Sequence, residues 1–128
     1  MKAYFVIYGF DKSPEDVSKL LGIQADEVGH KGDERPKIEG KNRPVIQDNY
    51  WQINSSSSEE YSIDAHIKNL LKKISPLLDS HSEIVEYSKK IVVHDGISVN
   101  CPKPGAYIDY ATSALLGRLK IDCDIDLY

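Results

Sequence analysis

Three carboxylates alternate with apolar residues near the end of the chain. Asp122, Asp124 and Asp126 are separated by Cys123 and Ile125. Because successive strand side chains point to opposite faces, this alternation predicts a strand with one apolar and one acidic face. Neighbouring carboxylates on such a face lie about 6.6–6.8 Å apart, which spreads them too widely to converge on a metal ion. Two alternatives stay open: a solvated strand face, or a binding surface for a basic partner.

A second polar group lies in the middle of the chain, where residues 30–43 carry more lysine and arginine than acid. If residues 30–54 form a long hairpin, Lys31, Asp33 and Arg43 would share a groove with Trp51. Arginine and tryptophan are enriched at binding hot spots. In the alternative, Trp51 packs in the core with its indole N–H bonded to a carbonyl, while the charges stay solvated.

The sequence contains no recognisable catalytic or metal-binding pattern. The four histidines lack metal-ligand spacing, and neither a G-x-S-x-G nor a phosphate-binding glycine loop is present. Cys101 and Cys123 are far from C-x-x-C spacing, so we expect reduced thiols, with a disulfide as the alternative. We therefore expect no catalytic residues, no metal and no cofactor, and a protein that is not an enzyme.

The length and charge of the chain indicate how many domains it forms and which classes of protein are excluded. With 128 residues, the chain is expected to form a single domain over residues 1–128. A net charge of −4 argues against general nucleic-acid binding, which needs a clustered positive surface. No apolar run is long enough to span a membrane, and residues 1–9 are typical of a strand and not of a signal peptide. The expected location is the cytoplasm.

The strand and helix signals are clearest at the two ends of the chain. Residues 3–9 predict an inner strand, followed by a helix that Ser13 caps, that Pro14 begins and that Gly22 ends. Short pairing is expected over residues 28–30 and a strand over residues 49–54.

The second half of the chain predicts three helices and two strands. Ser62 caps the first of these helices, and Ser75-Pro76 is expected to break it and to begin the next. A strand over residues 89–94 follows, and Asp109 then caps a last helix, which leads into the acidic strand. Brief pairing is also expected over residues 97–99.

This order of elements predicts an α+β fold. A mainly antiparallel or mixed sheet with helices packed on one face fits it best. Two β-α-β units, one near each end of the chain, favour a ferredoxin-like arrangement with additional helices between them.

Several short motifs resemble a bacterial family of domains of unknown function, DUF4279. They are Tyr4-Phe5-Val6-Ile7-Tyr8-Gly9, Ser13-Pro14, Leu20-Leu21-Gly22-Ile23, Lys31-Gly32-Asp33, Trp51 before Ser55, Leu116-Gly117 and Ile125-Asp126-Leu127-Tyr128. The resemblance spans nearly the whole chain and implies a single small domain, with no established activity or catalytic residues to transfer. Some small domains of this kind accompany polymorphic toxins as immunity proteins.

The functional expectation combines these observations. We expect a non-catalytic, cytoplasmic protein-binding domain, an immunity protein that neutralises a bacterial toxin. Because many toxins that attack nucleic acid are basic, the acidic strand would bind such a toxin domain and accelerate association. The alternative is a small-molecule-binding domain or a modest enzyme, with a groove around Lys31, Asp33, Arg43 and Trp51.

Overall fold

A mixed sheet of five strands, with helices against one face, organises the part of the chain that the computed structural model describes, residues 1–57, 62–95 and 107–127. The strands are β1 (Lys2–Tyr8), β2 (Glu27–Gly29), β3 (Tyr50–Asn54), β4 (Ser88–Asp95) and β5 (Asp122–Leu127). The helices are α1 (Pro14–Leu21), α2 (Ile63–Ser80), α3 (Ser82–Val85) and α4 (Tyr110–Arg118). The predicted α+β class is confirmed.

The strand order across the sheet is β2-β3-β1-β4-β5. Strand β1 is antiparallel to both β3 and β4, β2 is antiparallel to β3, and β4 is parallel to β5. The first four strands thus follow the β-α-β-β-α-β order of a ferredoxin-like fold. Strand β5 extends that sheet by one strand, through the crossover helix α4 that a parallel neighbour requires.

One apolar core joins all four helices to the sheet. Alternate residues of β1, namely Ala3, Phe5 and Ile7, point into this core because strand side chains alternate between the two faces. Helices α1 to α4 each bury at least one apolar residue in the same cluster. The opposite side of the sheet carries no helix among the residues that the structure describes.

The predicted boundaries of helix α1 are confirmed. The Ser13 side chain accepts a hydrogen bond from the Asp16 backbone N–H, and Pro14 occupies the first turn. Gly22 ends the helix with a φ of 76°, a left-handed conformation that glycine adopts without a steric penalty.

The predicted helix break at Ser75-Pro76 is wrong. Helix α2 continues through Pro76 to Ser80, and the chain breaks only at His81, before the short helix α3. Ile74 and Leu78 are both buried on the same face of the helix, one turn apart. Their packing keeps the helix continuous, although a proline in a helix interior removes one backbone hydrogen bond.

A buried lysine lies at the start of β4, where the core would favour an apolar residue. Lys89 is 1% exposed, and its Nζ donates to the carbonyls of Val85 at 2.5 Å and Tyr87 at 2.8 Å. Val85 is the last residue of the short helix α3 and Tyr87 follows it, so the lysine supplies a donor to carbonyls at the end of that helix. Burial lowers the Lys89 pKa to about 8.

Residues 30–49, which we call the excursion, form the irregular hairpin that the sequence predicts between β2 and β3. The Gly32 N–H donates to the Ile46 carbonyl at 2.8 Å, and the Ile46 N–H donates to the Asp33 carbonyl at 2.9 Å. Nearer the tip, Ile38 and Lys41 form an isolated antiparallel bridge. The excursion therefore has backbone pairing at its base and near its tip.

Two expectations fall on residues outside the described part of the chain: the pairing over residues 97–99, and the state of Cys101. Cys123 is described as a free, half-buried thiol. No helix among residues 1–57, 62–95 and 107–127 has the length and apolar character needed to cross a membrane.

Candidate binding face

The side of the sheet opposite the helices, which we call the helix-free face, carries an unusual mixture of side chains. Strand register places paired residues on the same face, so the even-numbered positions of β1, β3, β4 and β5 lie together there. They include Tyr4, Val6, Tyr8, Tyr50, Gln52, Lys90, Val92, His94, Asp122, Asp124 and Asp126. Val6 and Val92 are buried there, although no described helix covers them.

A concave groove occupies the β2-β3-β1 side of this face. Part of the excursion borders the sheet and leaves an open groove with a volume of about 470 Å³. Its lining residues are Tyr4, Val6, Tyr8, Glu27, Arg35, Ile46, Gln47, Asp48, Tyr50, Gln52 and Lys90. Ligand-binding clefts commonly measure about 300–1,000 Å³, so the groove is large enough for a small organic molecule or for side chains of a partner.

Tyr50 is fixed at the floor of the groove by its neighbours on β2. Its phenol donates to Glu27 Oε1 at 2.7 Å. Burial, followed by this bond to Glu27, raises the Tyr50 pKa to about 12. The ring also lies directly over Gly29, where an added Cβ would come within 2.0 Å of it. A larger residue at this position would therefore have to displace the Tyr50 ring.

Two cationic side chains line the same groove. Lys90 Nζ lies 5.4 Å from the centre of the Tyr8 ring, within the range of a cation–π contact. The Arg35 Nε atom is buried and has no hydrogen-bond partner among the described residues. An unsatisfied buried donor costs about 1–3 kcal/mol.

The three aspartates of β5 line one edge of the helix-free face. We call Asp122, Asp124 and Asp126 the acidic stripe. All three are exposed, and they stand beside Lys90, Val92 and His94 of β4, respectively. Asp126 Oδ2 lies 3.3 Å from His94 Nδ1, an ion pair only when the histidine is protonated. The stripe is thus open to water or to a partner, and its role in binding stays a prediction.

Trp51 does not line a groove, which corrects the expected site around it. It lies in β3 between Tyr50 and Gln52 but points to the core, where it is 0% exposed. Its indole N–H donates to the Ser18 hydroxyl at 2.9 Å. The alternative with a core tryptophan therefore describes the structure, with a hydroxyl as the acceptor in place of a carbonyl.

The structure does not bring Lys31, Asp33 and Arg43 together with Trp51. All three are exposed on the excursion, and none of them lines the groove. The Lys31 backbone N–H donates to Asn49 Oδ1 at 2.8 Å, while the Asn49 amide donates to the Phe10 carbonyl at 3.0 Å. Lys31 and Asp33 therefore lie at the anchored base of the excursion, and their role in binding stays a prediction.

Sequence reasoning missed the residues that build the groove. Tyr4 and Tyr8 alternate with the core residues of β1, so they lie on the opposite face of that strand. This pair of tyrosines was the sequence pattern that could have indicated a binding surface there. Arg35, Glu27 and Lys90 gave no signal, because the chain brings them together only when the excursion folds over the sheet. Within the described ranges, no group of three or more potential metal ligands occurs. The chemistry that this face supports is binding through phenols, amides and paired charges.

The fold and this face define the class of the protein: a small α+β domain with a ferredoxin-like strand order, an added parallel edge strand, and a helix-free face that bears a groove. Over residues 1–128 the sequence matches the model of the family described as Domain of unknown function (DUF4279), and the chain belongs to that family. The resemblance seen in the short motifs is thus confirmed. No match was found among curated proteins or among solved structures.

Proposed function

We propose that this domain is a non-catalytic binding protein of the cytoplasm, and that it neutralises a basic toxin by holding it against the helix-free face. The observation that carries the proposal is the exposed acidic stripe on β5, continuous with a tyrosine-bearing sheet surface. The toxin class comes from the resemblance to small domains that accompany polymorphic toxins.

Electrostatics favour a basic partner at the stripe. The three carboxylates lie on one strand face, and the whole chain carries a net charge of −4. Such a field raises the association rate of an oppositely charged protein, by about 10- to 1,000-fold in strongly steered pairs. Ionic strength screens this attraction beyond roughly 8–10 Å, so association with the partner will slow as salt is added.

The aromatic part of the face supplies a complementary contribution. Tyrosine is enriched at the centres of protein interfaces, because its ring buries a large apolar area while its hydroxyl keeps a hydrogen bond. Tyr4, Tyr8 and Tyr50 stand on neighbouring strands and border the groove. In this proposal the tyrosines contribute to the lifetime of the complex, and the acidic stripe contributes to the rate at which it forms.

A solvated strand face is the competing explanation for the acidic stripe. Strand β5 is an edge of the sheet, and charged side chains on edge strands protect a protein from aggregation by strand pairing. Under that explanation the aspartates affect solubility and do not affect binding.

The test begins with co-expression of the domain and the product of the neighbouring gene, followed by purification and measurement of the complex. The proposal expects a complex of defined stoichiometry that suppresses the toxicity of the partner in cells. The absence of both a complex and protection from toxicity would remove the proposal. A complex that still forms after all three aspartates are changed to asparagine, with unchanged rate and affinity, would place the partner elsewhere on the domain.

A further inference from the structure

We propose that the groove is a binding site for a small aromatic anion, a planar ring that carries a carboxylate or a phosphate group. This inference goes beyond the toxin-binding role: the two proposals share Tyr8 and Tyr50, but only this one depends on Arg35 and Lys90, so a loss of ligand binding in variants of these two cations tests it separately. The cations, the rings and the size of the groove indicate this class of ligand.

The first observation is an unmet hydrogen-bond donor. Arg35 Nε is shielded from water and has no acceptor within the described part of the chain, although the side chain borders an open volume. A guanidinium presents parallel donors that match two oxygens of a carboxylate or a phosphate. Because Nε itself is shielded, an anion in the groove would meet the outer nitrogens of the guanidinium, Nη1 and Nη2, which are not buried without a partner.

A second cation lies in the same groove without a carboxylate partner. Among the described residues, neither Lys90 nor Arg35 forms an ion pair, whereas Lys68, Arg118 and Lys120 each do. Lys90 instead stands over the Tyr8 ring. Its ammonium is thus available to an anion that enters beside that ring.

Two acids, Glu27 and Asp48, also line the groove and balance the charge of the two cations, so the position of the acids decides where an anion can bind. Glu27 accepts the Tyr50 phenol through Oε1 and lies 3.5 Å from the Gln52 amide through Oε2, so both of its oxygens have donors. Asp48 is exposed at the rim. Glu27 therefore holds the floor of the groove in place, and neither cation forms an ion pair with it, although Asp122 stands beside Lys90 on the neighbouring strand.

The tyrosines indicate that the ligand has a planar ring. Tyr8 and Tyr50 are direct register partners on β1 and β3, so their rings stand side by side on the sheet surface. Their faces offer offset stacking to an aromatic ligand. A volume of about 470 Å³ holds one such ring with its anionic group and leaves room for water.

The test uses four probes that separate the two features of the ligand. Phenyl phosphate and benzoate carry both a ring and an anion, inorganic phosphate carries only the anion, and phenol carries only the ring. Each is titrated into the ¹⁵N-labelled protein at pH 7, and binding is followed through the Arg35 Nε–H and Gln52 amide resonances. We expect at least one aromatic anion to shift these resonances and to bind about tenfold more tightly than phosphate or phenol.

Matched variants connect the binding to the groove. Arg35→Gln and Lys90→Gln are each expected to weaken the binding of the aromatic anion at least tenfold. Arg118→Gln removes the same charge on the helical side of the sheet and should leave the affinity unchanged. Unchanged thermal unfolding of each variant verifies the fold. The proposal is overturned if neither aromatic anion shifts the groove resonances, if phenol or phosphate binds as tightly, or if both groove variants bind like the wild type.

Discussion

Changing Trp51 to alanine is expected to destabilise the domain severely without altering the helix-free face. The indole is 0% exposed and packs in the apolar core between the sheet and the helices. Truncation of a buried tryptophan or phenylalanine to alanine costs about 3–5 kcal/mol, since it removes apolar burial and leaves a cavity. Loss of the bond from Nε1 to the Ser18 hydroxyl adds little, because Ser18 is only half-buried and water can replace the donor.

Urea unfolding followed by far-ultraviolet circular dichroism measures this cost. Fluorescence is unsuitable, because Trp51 is the only tryptophan of the chain and the variant lacks it. Small domains have a free energy of unfolding of about 5–15 kcal/mol, so the alanine variant will lose a large part of its stability. Trp51→Phe keeps an aromatic body in the core and is expected to cost about 1–2 kcal/mol.

Gln52→Ala provides the matched control on the same strand. Gln52 is the next residue of β3 but points to the helix-free face, so its truncation is expected to cost less than about 1 kcal/mol. A cost below about 1 kcal/mol for Trp51→Ala, or equal costs at the two positions, would contradict the assignment of Trp51 to the core. A folded Trp51→Ala variant should retain every binding property of the helix-free face.

Three further changes test other parts of the structure. Gly29→Ala is expected to displace the Tyr50 ring and cost about 1–3 kcal/mol in urea unfolding, whereas Gly117→Ala, which meets no neighbour, should be neutral or stabilising. Pro76→Ala should stabilise helix α2 by about 1–3 kcal/mol, and a loss of stability would contradict a helix that continues through residue 76. The pKa of Lys89 is lowered from 10.5 to about 8, so between pH 8 and 10 the folded protein binds fewer protons at this residue than the unfolded chain does. The free energy of unfolding should therefore rise with pH in this range, by at most about 1.4 kcal/mol per pH unit. Lys89→Met should abolish that rise, and an identical pH profile in the variant would refute this explanation.

Tyr50 and Tyr4 set the upper pH limit at which the contribution of Lys89 to the free energy of unfolding can be measured. The folded-state pKa of Tyr50 is raised to about 12 and that of Tyr4 is raised as well. Between pH 10 and 12 the folded state therefore holds phenolic protons that the unfolded chain releases. Stability falls with pH in that range, which opposes the contribution of Lys89.

Local signals predicted the parts of the fold that depend on local chemistry. The Ser13 cap, the Gly22 stop and the alternation over residues 122–127 all lie within single elements, and the structure has the predicted helix and strand there. Pro76 misled the prediction because propensity is outweighed by the burial of Ile74 and Leu78.

The groove was beyond local reasoning for a physical reason. Arg35, Tyr50 and Lys90 come from the excursion, β3 and β4, and only the folding of the excursion over the sheet brings them together. For Trp51, the residue type alone is consistent with either a core or a pocket. The register of β3 with β1 decides between them, because it pairs Trp51 with the core residue Ile7.

The association rate of the partner shows whether the acidic stripe forms part of the binding site. The measurement compares the wild type with a triple variant that has asparagine at Asp122, Asp124 and Asp126, over a range of salt concentrations. The control variant neutralises three exposed acids outside the helix-free face, through Asp11→Asn, Asp16→Asn and Glu83→Gln.

If the partner binds at the acidic stripe, the triple asparagine variant will associate at least about tenfold more slowly at low salt and lose most of its salt dependence, while the association rate of the control variant changes much less. Equal association rates and equal salt slopes for the two variants would contradict a partner site on the acidic stripe.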